Sequence, residues 1–247
     1  MTVEVTWAWV FLDLPQAGFD EQLGFWQQVT RSTLSPWRGG RGEFATLLPA
    51  EGDPWVKVQR AGGAGGVHVD LEVDDVHEAA GRARDLGAVV LDDLGTLVVC
   101  RSPGGFAFCL VAAAAQPRVQ VRSGQPSLVD QVCLDVPTDR YAAELAFWTD
   151  LTGWAAPGTE PGESGLLPLT RPDGLSLRLL TQRLGQPDGT VTAHLDLACA
   201  DRVAVTGEHE DLGARVASVH ERWTVLLAPG GARYCLTDRD PDTGLLA

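Results

Sequence analysis

The sequence predicts an α+β protein built from one strand-rich unit written twice, and three observations carry that prediction. First, short identities recur in one order at a steady offset. Asp13-Leu14-Pro15 returns as Asp135-Val136-Pro137 and Phe25-Trp26 as Phe147-Trp148, both 122 positions on. HVDL from His68 returns as HLDL from His194, Leu86-Gly87-Ala88 as Leu212-Gly213-Ala214, Pro103-Gly104-Gly105 as Pro229-Gly230-Gly231, and Cys109-Leu110 as Cys235-Leu236, all 126 positions on. Second, each copy shows a strand, a helix and further strands, twice over. Third, the helices are few and short on a strand-rich background, which favours a sheet with helices on one face over a doubly wound parallel sheet. Period and order together mark a tandem repeat. The expected organisation is a first domain over 1–113, a linker over 114–126, a second domain over 127–240 and a tail over 241–247. The four extra residues of the second copy fall most easily in the loop from Pro157 to Gly165, rich in Pro and Gly.

The elements follow from local pattern. Thr6 to Leu14 is apolar and aromatic, as a buried strand is. Phe19, Leu23, Trp26 and Val29 recur at helical spacing. Glu43 to Leu48 and Trp55 to Gln59 read as strands about a turn. Val67 to Val73 alternates. Asp75 is placed to cap a helix whose apolar face is Val76, Ala79, Ala80, Ala83 and Leu86, with Gly87 ending it. Strands near Thr96 to Cys100 and Phe106 to Val111, joined by Ser-Pro-Gly-Gly, complete the copy. The second repeats it, with strands near Leu128 to Val136, Gly165 to Leu169, Leu175 to Thr181, Ala193 to Cys199, Val219 to Leu227 and Ala232 to Thr237. Its helices lie near Arg140 to Thr152 and Arg202 to Leu212. The segment from Ala112 to Ser127 has no period.

Composition narrows the function classes. A net charge of −14 over 247 residues argues against nucleic acid and anionic membranes and is compatible with a cationic ligand. No apolar run reaches the length of a membrane span, and a cytoplasmic location follows by default. The five cysteines form no CxxC and read as small buried residues.

HVDLEVDD, a helix ending in LGA, and a strand pair joined by PGG and closing FCLV resemble the glyoxalase-like branch of the vicinal oxygen chelate superfamily, which includes glyoxalase I, extradiol dioxygenases and bleomycin-resistance proteins. HLDLACAD, LGA, PGG and YCLT of the second copy match equally, as does FWTDLTGW. The resemblance implies two tandem glyoxalase-like domains, each of two βαβββ modules curling around a cup. It specifies fold more than function.

Metalloenzymes of that superfamily hold a divalent metal with His and Glu on cup-facing strands. Carried over by spacing, the positions fall on Trp9, His68 and Cys109 in the first copy and Gln131, His194 and Cys235 in the second. Alternation sets His68, Asp70 and Glu72 on one strand face, and His194 with Asp196 likewise. One histidine per cup falls short of the three or four ligands of a stable site, so the expectation is no cofactor, the alternative being one divalent metal ion on His68 or His194. Trp7, Trp9 and Phe11 share a strand face. With Trp37 and Trp55 they could wall the first cup around a flat ligand, or fill it. His68 and Asp70 are candidate acid–base residues, and Asp70 with Glu72 a candidate cation site. The ligand-binding candidates are thus Trp7, Trp9, Phe11, Trp37, Trp55, His68, Glu72 and Cys109, with Gln131, His194, Asp196 and Cys235 of the second cup. His77, His209, His220, Arg202 and Arg215 read as surface residues. AGGAGG lacks the Lys-Ser/Thr of a phosphate loop, and no GxSxG elbow occurs.

These residues lead to a metal-free tandem protein binding a small aromatic or cationic molecule in the first cup. The alternatives are a metal-dependent lyase, isomerase or dioxygenase, and an inert structural pair. The partner is a small molecule, with no nucleic acid and no membrane, in a monomer whose domains pair with each other.

Overall fold

A computed structural model describes residues 2–122, 124–162 and 164–246. Residue 123 of the expected linker, residue 163 of the expected insertion loop and the two terminal residues lie outside the described residues. In the first half, β1 (Val5–Pro15) leads to α1 (Phe19–Val29), β2 (Thr33–Leu34), β3 (Phe44–Leu48) and β4 (Val56–Ala61). Then come β5 (Gly66–Val73), α2 (Val76–Asp85), β6 (Val89–Asp93), β7 (Leu97–Arg101) and β8 (Ala107–Ala112). The second half runs β9 (Ser127–Val136), a short 3-10 turn, α3 (Tyr141–Thr152), β10 (Leu166–Pro168) and β11 (Arg178–Arg183). It closes with β12 (Thr192–Cys199), α4 (Arg202–Asp211), β13 (Arg215–Val219), β14 (Trp223–Leu227) and β15 (Arg233–Thr237).

Each half supplies one open mixed sheet. The first has the order β2-β3-β4-β1-β5-β8-β7-β6, the second β10-β11-β9-β12-β15-β14-β13. This is the predicted α+β class. β5 and β8 run parallel, as do β12 and β15, because a helix and two strands carry the chain back between them. The caps follow the sequence: Asp75 accepts from the amides of His77 and Glu78, and Asp201 from those of Val203 and Ala204.

Besides the two-residue β2, two strands escape the sequence reading, β6 and β13. Both are sheet edges, and Val89 and Leu91 of β6 are 58% and 50% exposed. A strand with apolar residues facing water carries no core-facing alternation. Both are interrupted at the same repeat position, between Val90 and Asp92 and between Val216 and Ser218, a bulge that blunts an exposed edge.

The chain forms two compact units that interleave the sequence halves. One contains residues 1–10, 68–118 and 132–193, the other 11–67, 119–131 and 194–247. The repeated Phe-Trp pairs explain the exchange. In the first unit, Phe147 and Trp148 of α3 meet Phe108 of β8 at ring-centroid distances of 5.6 and 5.2 Å. In the second, Phe25 and Trp26 of α1 meet Tyr234 of β15 at 5.9 and 5.3 Å. Each half's first helix therefore buries its aromatics on the other half's last strand. The Pro-Gly-Gly turns take part. The amide of Gly104 donates to Glu144 Oε2 at 2.8 Å, and a Cβ there would lie 2.3 Å from Val191 Cγ2. A Cβ on Gly230 would lie 2.5 Å from Gln22 Cδ, and Gln22 is the repeat counterpart of Glu144. Only glycine admits these approaches.

His209 is not the surface residue its sequence context suggests. It is fully buried in the second unit, with Nδ1 3.0 Å from Tyr234 Oη and its ring against Phe25. Burial depresses its pKa to about 4. Arg202, also read as solvated, holds an ion pair with Asp238 at 2.6 Å. None of the five cysteines is in a disulfide and all are buried, as expected. Among the described residues no helix is long and apolar enough to cross a membrane.

Candidate functional site

Strand register assembles a donor cluster in each half. The parallel pairing sets Asp70 opposite Cys109 and Asp196 opposite Cys235. The period of two then puts His68 and His194 on the same face as their aspartates. His68, Asp70 and Cys109 bring one imidazole nitrogen, one carboxylate oxygen and one sulfur within 4.8 Å of one another, and so do His194, Asp196 and Cys235. His68 Nε2 lies 3.7 Å from Asp70 Oδ1, and His194 Nε2 lies 3.4 Å from Asp196 Oδ1. The second cluster is the more enclosed, its three residues all buried.

The surroundings differ between the copies. In the first, Glu72 is held by Arg118, whose Nε and Nη2 reach Glu72 Oε1 at 3.1 and 2.6 Å. The Trp9 indole N–H donates to the same oxygen at 2.8 Å, and the guanidinium lies 4.6 Å from the Trp9 ring centroid. Burial works to raise the Glu72 pKa, but the hydrogen bonds from Arg118 and Trp9 outweigh it and leave it lowered. The carboxylate expected to receive a cation thus already has one, supplied by the connection between β8 and β9.

In the second copy Ala198 replaces Glu72 and the charge moves to β9. Asp130 binds Arg239 through both carboxylate oxygens and Arg122 at 3.3 Å. Next to it, Gln131 donates its side-chain N–H to Asp196 Oδ2. Burial pushes the Asp196 pKa up, while the His194 contact and charge, the Arg239 charge and Gln131 hold it below the ordinary value. Burial raises the Cys235 thiol, against the opposing pull of His194. Asp196 Oδ1 is buried and accepts no hydrogen bond. An acceptor oxygen beside a histidine and a cysteine is a fitting place for a cation.

The aromatic candidates take separate settings. Trp7 and Trp9 meet edge to face at 6.5 Å, both buried. Phe11 lies on Phe44 at 6.2 Å under the Lys57 ammonium at 5.0 Å. Trp37 lies tilted against Phe19 at 5.7 Å, with the Arg60 guanidinium 4.4 Å from its ring centroid. Trp55 donates its indole N–H to Val129 O at 2.8 Å. Sequence reasoning missed Arg118, Arg122, Asp130 and Arg239. The first two sit in the segment without period, and the signal available was two arginines in a stretch with no acidic residue.

The family model described as glyoxalase-like domain matches residues 9–111 and again 131–237. No curated protein sequence matches the chain. Among solved structures, a Mn(II)-bound glyoxalase from Novosphingobium aromaticivorans superposes with a TM-score of 0.64 at 17% identity, covering 100% of this chain and 86% of that one. The 2,2',3-trihydroxybiphenyl 1,2-dioxygenase of Sphingomonas wittichii strain RW1 gives 0.63 at 15% identity, covering 96% and 90%. An extradiol ring-cleaving dioxygenase from B. fuscum gives 0.67 at 13% identity, covering 99% and 74%. At these identities the likeness is one of fold.

The expectation of no cofactor is corrected. It rested on counting one histidine per cup, and the strand register adds an aspartate and a cysteine to each, making three donors. A Mn(II)-bound protein is also among the similar folds. With both repeats matched over most of their length, the chain belongs to the glyoxalase-like domain family of the vicinal oxygen chelate superfamily, in tandem form.

Proposed function

We propose that the second half carries a divalent transition-metal site on His194, Asp196 and Cys235, and that the protein is a metal-dependent lyase, isomerase or dioxygenase acting on a small oxygen-bearing molecule. The observation that carries this is the buried N, O and S donor triplet around an Asp196 oxygen that accepts no hydrogen bond. Such a set suits zinc, iron or cobalt better than the hard ions magnesium and calcium. Three protein donors leave a position for substrate or water. When bound, the metal supplies Lewis-acid polarisation of a substrate oxygen. The protein's own contribution is positional. Gln131 fixes the Asp196 carboxylate, as outer partners of metal ligands do. Cys235 must release its thiol proton to ligate. Likeness in fold to a glyoxalase and to ring-cleaving dioxygenases supports the reaction class.

The first half favours a second reading for itself, an inert partner. Trp9 stands where Gln131 stands in the second half, and both Trp9 and Glu72 are committed to each other and to Arg118. Elemental analysis of protein purified without chelator tests both. About one equivalent of zinc, iron or cobalt is expected, lost in His194→Ala and in Cys235→Ser and kept in His68→Ala. Metal near zero after incubation with each ion overturns the proposal, as does loss in His68→Ala alone.

A further inference from the structure

In the second unit, a cleft of ≈ 350 Å³ opens where the end of α1, the β3–β4 loop and the start of β9 meet, and it contains none of the metal-site donors. Its walls are apolar: Leu47, Trp55, Val56, Val121 and Val129 line it. The volume falls within the range of small-molecule sites, which pair apolar walls with a few placed polar groups. Most polar groups here are already committed. The Thr30 and Ser32 hydroxyls donate to the carbonyls of Trp26 and Thr30, Val129 O receives the Trp55 indole, and Arg31 is paired with Glu208. Ser127 differs. It lines the cleft, the residue is 95% buried, and its Oγ makes no hydrogen bond. A buried hydroxyl without a partner costs about 1–3 kcal/mol, and a ligand group entering the cleft would supply that partner. Arg31, the one non-glycine residue at positive φ among those described (φ 50), shapes the turn at its edge. Such strain gathers at binding sites.

We infer that this cleft binds a neutral aromatic molecule of up to two fused rings carrying one hydroxyl or carbonyl, with the rings against Trp55, Val56 and Val129 and the polar group on Ser127 Oγ. Neutrality follows from the rim, where the charge of Arg31 is already met. The exposed Glu51 would repel an anion, and as a solvated carboxylate at the rim it would hold a cation only weakly.

The test is titration of the full chain with 2-naphthol and with naphthalene, read by saturation-transfer NMR with chelator present. Both should bind. Ser127→Ala should weaken 2-naphthol about fivefold, one neutral hydrogen bond, and leave naphthalene unchanged. Ala50→Trp and Val121→Trp, which fill the cleft from its exposed side, should each abolish binding of both. Thermal midpoints identify a variant that fails to fold, and the other then decides. Absence of binding, binding that survives both filling variants, or an equal loss of both probes in Ser127→Ala overturns the inference. Because chelator is present throughout, the outcome is independent of the metal proposal.

Discussion

The two halves share a frame and differ in where they keep their charge. Both retain His, Asp and Cys at matching positions of the second module. Around them, Trp9 faces its counterpart Gln131, Glu72 faces Ala198, Ala8 faces Asp130 and Ala113 faces Arg239. The first half sets its acid beside the donor cluster and neutralises it with Arg118, which is 22% exposed. The second sets its acid one residue before Gln131 and neutralises it with Arg239, only 4% exposed, and with Arg122. The duplication has thus kept the donor-bearing strands and reassigned the polar support. In one half that support crowds the cluster; in the other it stands behind and orients it.

This difference predicts unequal costs. Asp130 is fully buried between two guanidinium groups, and its removal strands Arg239 as an uncompensated charge. Asp130→Ala should destabilise by about 3–5 kcal/mol, the usual cost of breaking a buried pair from one side. Chemical denaturation reads this directly. A loss below about 1 kcal/mol would mean that Arg239 finds another partner, and the contrast between the halves would fail.

A second contrast lies under α4. His209 and Tyr234 occupy the repeat positions of Ala83 and Phe108, so a polar pair stands where the first half has an apolar one. Burial, with Arg31 adding to it and Glu208 opposing, holds His209 at about 4 against an ordinary 6.5. In that window the unfolded chain binds a proton that the folded chain does not. Stability is therefore complete above about pH 6.5 and declines toward pH 4. The full decline from this residue is about 3 kcal/mol at 1.36 kcal/mol per unit. The paired change His209→Ala with Tyr234→Phe, which copies the first half, should flatten the dependence. An unchanged pH profile would assign the acid sensitivity to other groups.

How much of this could be read in the sequence depends on the range of the interactions. The fold was legible because the repeat fixes two copies and because β5, β8, β12 and β15 carry motifs with local signatures. The donor clusters were half legible. His68 and His194 stood out, and Cys109 and Cys235 fell at ligand positions by spacing, but only the parallel register, which pairs residues 39 positions apart, brings each cysteine beside its aspartate. The exchange of Phe25-Trp26 and Phe147-Trp148 between halves was not legible, since helical spacing reports that a face is buried and not what buries it. Nor was the anchoring of Arg118 and Arg122, because an extended segment held by single ion pairs has no period to detect. The edge strands β6 and β13 were missed for the opposite reason, having neither core face nor partner on one side.

The smallest effect tests the crowding of the first cluster. Arg118→Ala leaves Glu72 buried without its counter-ion, but the bonds from the Trp9 indole and the Ala114 amide stay in place and keep the carboxylate hydrogen-bonded. The loss should be about 1–2 kcal/mol, one charge-assisted contact at a partly solvated site. Since Arg118 helps hold the Glu72 pKa below its ordinary value, the contribution is present above the carboxylate range and fades as pH falls through it. Wild type and variant should therefore converge in acid. Equal stability of the two at neutral pH would show that Arg118 rests on the site without holding it, and the contrast in crowding between the halves would fail.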